Sequence, residues 1–242
     1  MPLFFSNGQS IFFAHIPKTG GASVEEYLTR RFGPLTIAAN LRFKTPMRAE
    51  GHWHDTIEPP QHFTKYILQG FLPRDLGHAF AVVRDPLDRL LSEYRFQQGI
   101  SRLSGLGFST WLRVMLRAAG TEPRVFHNHI RPQGDLIPDG AQIFRFEDGF
   151  DPIIAWLDEV TGTTAPDLDM GHFLKRQKTP IAVRQQDVEL VRTFYHQDYT
   201  AFGYPMPDPQ DYSNDALATG RGLLAASIAP LVRAGQRRVW LR

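Results

Sequence analysis

The sequence predicts an α/β fold: a parallel β-sheet flanked by helices, within a single domain. Three observations predict it. Short unbroken apolar runs, such as "IFFAHI" at 11–16 and "HAFAVV" at 78–83, have the hydrophobicity of strands buried on both faces. Each run gives way at once to apolar residues at helical spacing. The alternation then recurs along the chain, as strand–helix–strand units require. A length of 242 residues suits one large domain with a substantial core.

The elements follow in order. Residues 11–16 read as a buried strand. Val24, Tyr27, Leu28 and Phe32 mark one face of a helix that Gly33-Pro34 ends. Residues 34–78 have little period; loops and short helices are expected there, of the kind that carry substrate contacts. A second strand at 78–83 is broken by Arg84-Asp85-Pro86. Leu87, Leu90, Leu91 and Tyr94 begin another helix, with Pro86 placed where a missing N–H costs nothing. Trp111, Leu112, Met115 and Leu116 predict a further helix, "AQIFRFE" at 141–147 a third strand, and Ile153 to Val160 a helix ended near Gly162. Val188, Val191, Phe194 and Tyr195 mark a later one, running to "FGY" at 202–204. Residues 1–204 are expected to form the folded domain. Residues 205–242 are expected to be a proline-rich linker and a helical tail made basic by Arg233, Arg237, Arg238 and Arg242.

Composition excludes some functions. Charged residues are 21%, hydrophobic ones 42% and the net charge is +2, so no global basic field for nucleic acid exists. With no cysteine, disulfides, thiolate catalysis and Cys-ligated zinc are excluded, and a reducing compartment is favoured. "MPLFFSNGQS" has no basic leader and no long apolar segment, and no run approaches the roughly 18 residues of a membrane span. A cytoplasmic protein is expected.

The chemistry is carried by "HIPKTGGAS", residues 15–23. It lies between strand and helix, where α/β sheets bind ligands. Helix N-terminal amides and the helix dipole favour anions there. Gly20 and Gly21 allow close backbone approach, Lys18 adds a cation, and Thr19 and Ser23 add hydroxyls. The Walker A pattern is absent, as are paired acids for magnesium. Taken alone, the glycines could be only a tight turn. A second motif, "RDPLDRLLSEY" at 84–94, puts Arg84 at a strand end and Ser92 eight residues on. Arg84 could instead pair with Asp88, and Ser92 could face solvent. Together, the two motifs suggest a nucleotide with phosphates at two places.

"HIPKTGGASVEEYL" and "FAVVRDPLDRLLSEY" resemble the paired cofactor signatures of sulfotransferases that use 3′-phosphoadenosine 5′-phosphosulfate (PAPS). The chain is most similar to the carbohydrate branch, which includes the heparan sulfate 2-O-sulfotransferase group and bacterial relatives. "RPQGDLI" (131–137), "IFRFED" (143–148) and "FYHQDYTAFGY" (194–204) extend the resemblance over most of 11–204. It implies a P-loop-like fold. It implies that Lys18, Thr19, Gly20, Gly21, Ala22 and Ser23 hold the 5′-phosphosulfate and that Arg84 and Ser92 hold the 3′-phosphate. "KRQK" at 175–178 lies where the family has a cofactor-covering loop, so Lys175, Arg176 and Lys178 are further candidates, or else a solvated basic turn.

Sulfuryl transfer is a displacement in which the enzyme positions reactants and stabilises charge. Lys18 suits the charge growing on the bridging oxygen. A hydroxyl acceptor needs a base, and histidine is the usual choice. "GHWHD" offers His54 and His52, in that order of preference, and the carbohydrate 2-O-sulfotransferases carry a similar His-x-His. Glu50, Asp55 and Glu58 are reserves. His15 is expected to be a packed residue at a strand end. His52, His54 and His62 with Asp55 could form a cysteine-free metal site, but no metal is expected. His127 and His129 are read as structural or substrate-facing. Trp53, Phe43 and Tyr66 could stack on sugars or pack in the core; Arg42, Lys44 and Arg48 could meet an acidic sugar or solvent. The implied partner is a carbohydrate or glycoconjugate. The tail could serve homo-oligomer assembly or contact an anionic surface, packing on the domain being the commoner role of such a helix. An ATP-dependent kinase and a non-catalytic nucleotide-binding module are the alternatives.

Overall fold

The computed structural model of the chain describes residues 2–36, 62–71, 77–99, 103–170 and 180–240. It divides into two compact units, each built from two stretches of chain: Met1–Arg84 with Asp135–Arg176, and Asp85–Gly134 with Gln177–Arg242.

The first unit holds a four-stranded sheet of β1 (Leu3–Ser6), β2 (Gln9–Ala14), β3 (His78–Val83) and β4 (Gln142–Arg145), paired in that order. β2, β3 and β4 run parallel, as the sequence predicts. β1 adds an antiparallel edge. Its cause is Asn7-Gly8, both at positive φ (47° and 76°), the backbone of a tight hairpin turn. Two strands end earlier than the apolar runs suggest. β2 stops at Ala14 because Pro17 and the turn around it cannot continue a ladder. β4 stops at Arg145 because Phe146–Asp148 winds into a 3-10 turn.

α1 (Gly21–Phe32) and α5 (Asp151–Thr161) belong to the same unit, as does the short α2 (Lys65–Phe71). One face of the sheet, with Ile11, Phe13, Phe80 and Val82, packs with Val24, Tyr27 and Leu28 of α1 and Ile153 and Leu157 of α5. The rings of Phe13 and Phe80 stack at 4.8 Å. Phe12, Ala14, Ala81 and Val83, on the opposite face, are fully buried too. Burial on both faces is the reason these runs are unbroken rather than alternating. Gly33 and Gly162 end α1 and α5 in positive-φ conformations, which glycine adopts without strain.

The second unit is helical: α3 (Pro86–Gln98), α4 (Phe108–Ala119), α6 (Gln185–Phe194), α7 (His196–Phe202) and α8 (Ala218–Trp240). The Asp85 carboxylate caps α3 by accepting from the Asp88 amide at 2.9 Å. α8 packs on α4, burying Ala225 and Ala229 while Leu223, Leu224 and Leu231 stay exposed. Among the described residues, no helix is long and apolar enough to cross a membrane.

Candidate active site

β2 delivers the chain into a turn at Pro17–Gly20 and then directly into α1. Lys18 and Gly20 are both left-handed, at φ 70° and 87°. The Lys18 side chain is half-buried and Ala22 is exposed. α1 starts with no side-chain cap and no acidic residue in its first turn, so its positive end is not neutralised locally. The Thr19 hydroxyl turns inward and donates to the Ile16 carbonyl at 2.9 Å, bracing the turn from within. Ser23 is buried.

Rings fix the two glycines. A Cβ on Gly20 would stand 2.9 Å from Phe150 and 3.0 Å from Phe146; one on Gly21 would stand 2.1 Å from His15 Nε2. Only glycine fits either place. His15 is packed at the strand end, as expected, but it does more than fill space: its Nδ1 lies 2.6 Å from Glu25 Oε1. Burial pushes the Glu25 carboxyl up, yet the charge and hydrogen bond of His15 leave it below its ordinary value.

β3 ends beside β2. Ala14 pairs with Ala81, and Arg84, just past β3, donates from Nη1 to the Lys18 carbonyl at 3.3 Å. Its guanidinium lies 4.5 Å from the centre of the Phe146 ring. Phe146 therefore touches both Arg84 and the loop. Sequence reading passes over its role; the signal is its place at the end of the third parallel strand.

A second polar assembly lies within the helical unit. Phe126, His127 and Asn128 are three consecutive non-glycine residues at positive φ (50°, 57° and 67°), a conformation disfavoured by about 1–2 kcal/mol per residue. Arg89, only 1% exposed, donates to the carbonyls of His129 at 3.3 Å and Arg131 at 2.7 Å. The Tyr195 hydroxyl donates to the Ile130 carbonyl at 2.5 Å. Asp198 accepts from the amides of Gln133 and Gly134 at 2.8 and 3.1 Å. Burial raises the Asp198 carboxyl, against the pull of Arg89 and these amides, and burial pushes the Tyr195 phenol up. Glu93, also buried, lies 2.8 Å from His129 Nδ1. Residues 129–134 and 195–198 are thus two sides of one assembly.

A family model described as the sulfotransferase family matches residues 1–147. The match spans the loop, Arg84, and β4 through Phe146. The chain belongs to the sulfotransferase family. Its reaction class is therefore sulfuryl transfer. No curated protein and no solved structure matches the chain significantly.

In this sulfotransferase, the structure brings Lys18, Thr19, Gly20, Gly21, Ala22, Ser23 and Arg84 into the first unit, at the ends of adjacent parallel strands. Ser92 is half-buried on α3 in the second unit. His62 is buried, its ring edge-on to His15 at 5.2 Å. Tyr66 is exposed. His52, His54, Glu50, Asp55, Glu58, Trp53, Phe43, Arg42, Lys44, Arg48, Lys175, Arg176 and Lys178 lie outside the described residues. Among the described residues, no group of three or more His, Asp or Glu is placed to hold a metal.

Proposed function

We propose that this sulfotransferase uses PAPS and transfers its sulfuryl group to a hydroxyl of a carbohydrate or glycoconjugate. One observation carries the cofactor reading. Two cationic residues, Lys18 and Arg84, stand at the ends of neighbouring parallel strands, tied by the 3.3 Å bond from Arg84 to the Lys18 carbonyl. The donor chemistry fits a nucleotide with anions at both 5′ and 3′ positions: an uncapped helix start with a lysine for one, a guanidinium for the other.

When bound, the nucleotide supplies an activated sulfuryl group at its 5′ end. The amides of Thr19 to Ala22 hold the anionic oxygens, with the Ser23 hydroxyl as a further donor. Lys18 neutralises charge on the bridging oxygen as the bond to sulfur lengthens. Arg84 and Ser92 hold the 3′-phosphate, with Arg176 and Lys178 as further contacts. His54, or His52, takes the acceptor proton. The charge of the leaving bisphosphate is met by lysine, arginine and amides, so the reading requires no metal. The carbohydrate acceptor and the His base rest on the resemblance of the motifs. The absence of cysteine accords with a cytoplasmic setting.

The test is transfer of labelled sulfate from PAPS, without magnesium, to a panel of oligosaccharides. Sulfated sugar should accumulate in step with adenosine 3′,5′-bisphosphate, and His54→Ala or His52→Ala should abolish turnover while leaving bisphosphate binding intact. Phosphorylation of the same panel from ATP and magnesium, with no sulfation, overturns the proposal.

A further inference from the structure

We propose that His15, held by Glu25, is a positioning residue that clasps the two ends of the Lys18–Gly20 turn and so fixes its amides for the 5′ anion of the nucleotide. The proposal rests on the nucleotide reading above. His15 is the first residue after β2, and Gly21 is the first residue of α1. One side chain touches both ends of the intervening turn: the imidazole belongs to residue 15, and its Nε2 occupies the space a Gly21 Cβ would need, 2.1 Å away.

Three neighbours hold the ring in place. Glu25, one turn along α1, takes Nδ1 at 2.6 Å. The His62 ring meets it edge-on at 5.2 Å, and the Phe13 ring lies nearly parallel at 5.7 Å. The histidine side chain is 8% exposed and that of Glu25 16%. The clasp has something to hold. Lys18 is a non-glycine residue at φ 70°, and such a residue persists only where its surroundings over-determine it. The Thr19 hydroxyl bond to Ile16 is a smaller brace on the same turn. If the imidazole is lost, the two ends of the turn are no longer joined through a side chain. Lys18 can then relax, and the amides of Gly20, Gly21 and Ala22 lose their common aim.

This role differs from simple packing in which part of the ligand it serves. Titration calorimetry with adenosine 5′-monophosphate, adenosine 3′-monophosphate and adenosine 3′,5′-bisphosphate separates the two. His15→Leu should weaken the 5′-monophosphate about tenfold or more and leave the 3′-monophosphate within about twofold, the limit expected of a site that is not rebuilt. His15→Asn, which can still reach Glu25 with an amide, should recover most of the loss. Glu25→Ala, which removes the Nδ1 partner and leaves the imidazole in place, should show the same 5′-selective weakening. Equal weakening of both monophosphates, or no weakening in folded His15→Leu and Glu25→Ala proteins, overturns the clasp while leaving the nucleotide reading intact. Failure of the unaltered protein to bind any of the three overturns both.

Discussion

The turn after β2 and the turn at 126–134 face the same difficulty and meet it differently. Each forces non-glycine residues into left-handed backbone: Lys18 in the first, Phe126, His127 and Asn128 in the second. The first combines distant contacts, the Arg84 bond to the Lys18 carbonyl and the Phe146 and Phe150 rings against Gly20, with polar braces at its two ends that are near neighbours in sequence. His15 reaches Gly21 and Glu25, and Thr19 reaches Ile16. The second is held from far away. Arg89 reaches forward across 40 residues to His129, and Tyr195 and Asp198 reach back across 65 to Ile130 and Gln133. A locally braced turn can be poised for a ligand without committing the rest of the molecule. A turn braced by a buried arginine and a buried carboxylate ties distant helices together, so its failure is a failure of folding.

The largest effect should therefore come from the second turn. Arg89→Met removes the donor to two carbonyls and the cation beside Asp198. Breaking a buried charge network costs about 3–5 kcal/mol, so the midpoint of thermal unfolding should fall by about 10 °C or more. A fall of a degree or two would erase the contrast. Lys18→Met should do the opposite. We expect kcat to drop roughly 100- to 1,000-fold with thermal stability nearly unchanged, checked by sulfate transfer and calorimetry on the same preparation. Phe146→Leu sharpens the first region further. It removes the ring 4.5 Å from the Arg84 guanidinium, worth about 0.5–1 kcal/mol, so bisphosphate should bind about two- to fivefold more weakly.

The smallest effect concerns acid. Folded Glu25 titrates below its ordinary value of 4.5, so below pH 4.5 the unfolded chain takes up its proton first. The stabilisation is complete above that pH and is lost as pH falls through the folded value. Glu25→Gln should flatten this part of the acid-unfolding curve, read by urea midpoints between pH 3 and 6 (conditions chosen to span about one to two units either side of the ordinary value). An unchanged curve would show that the His15 pairing does not matter to folding.

Much of the first unit is legible in sequence because its signals are contiguous. Unbroken apolar runs locate β2, β3 and β4, helical spacing locates α1 and α5, and the glycine pair after β2 marks the turn. Asn7-Gly8 was an available hairpin signal, and it accounts for the antiparallel edge that a purely parallel reading omits. What sequence does not reveal are the roles of side chains whose partners are distant or generic. His15 reads as packing until its contact with Gly21 is measured, and Phe146 reads as one more apolar residue until it is found over Arg84. Arg89 and Asp198 look like ordinary charged residues of amphipathic helices. Nothing near them in sequence says that they are buried, or that 129–134 and 195–198 meet.

The most direct test of the central claim is thermal unfolding of the unaltered chain and of Arg84→Ala with adenosine 3′,5′-bisphosphate, run beside 5′-AMP and ATP with magnesium. At 100 times its dissociation constant the bisphosphate should add about 2.7 kcal/mol. We predict an upward shift specific to the bisphosphate, absent in Arg84→Ala, whose own midpoint stays close to that of the unaltered chain. A shift no larger than that given by 5′-AMP, or one that survives in Arg84→Ala, would contradict a 3′-phosphate site at Arg84 and with it the PAPS reading.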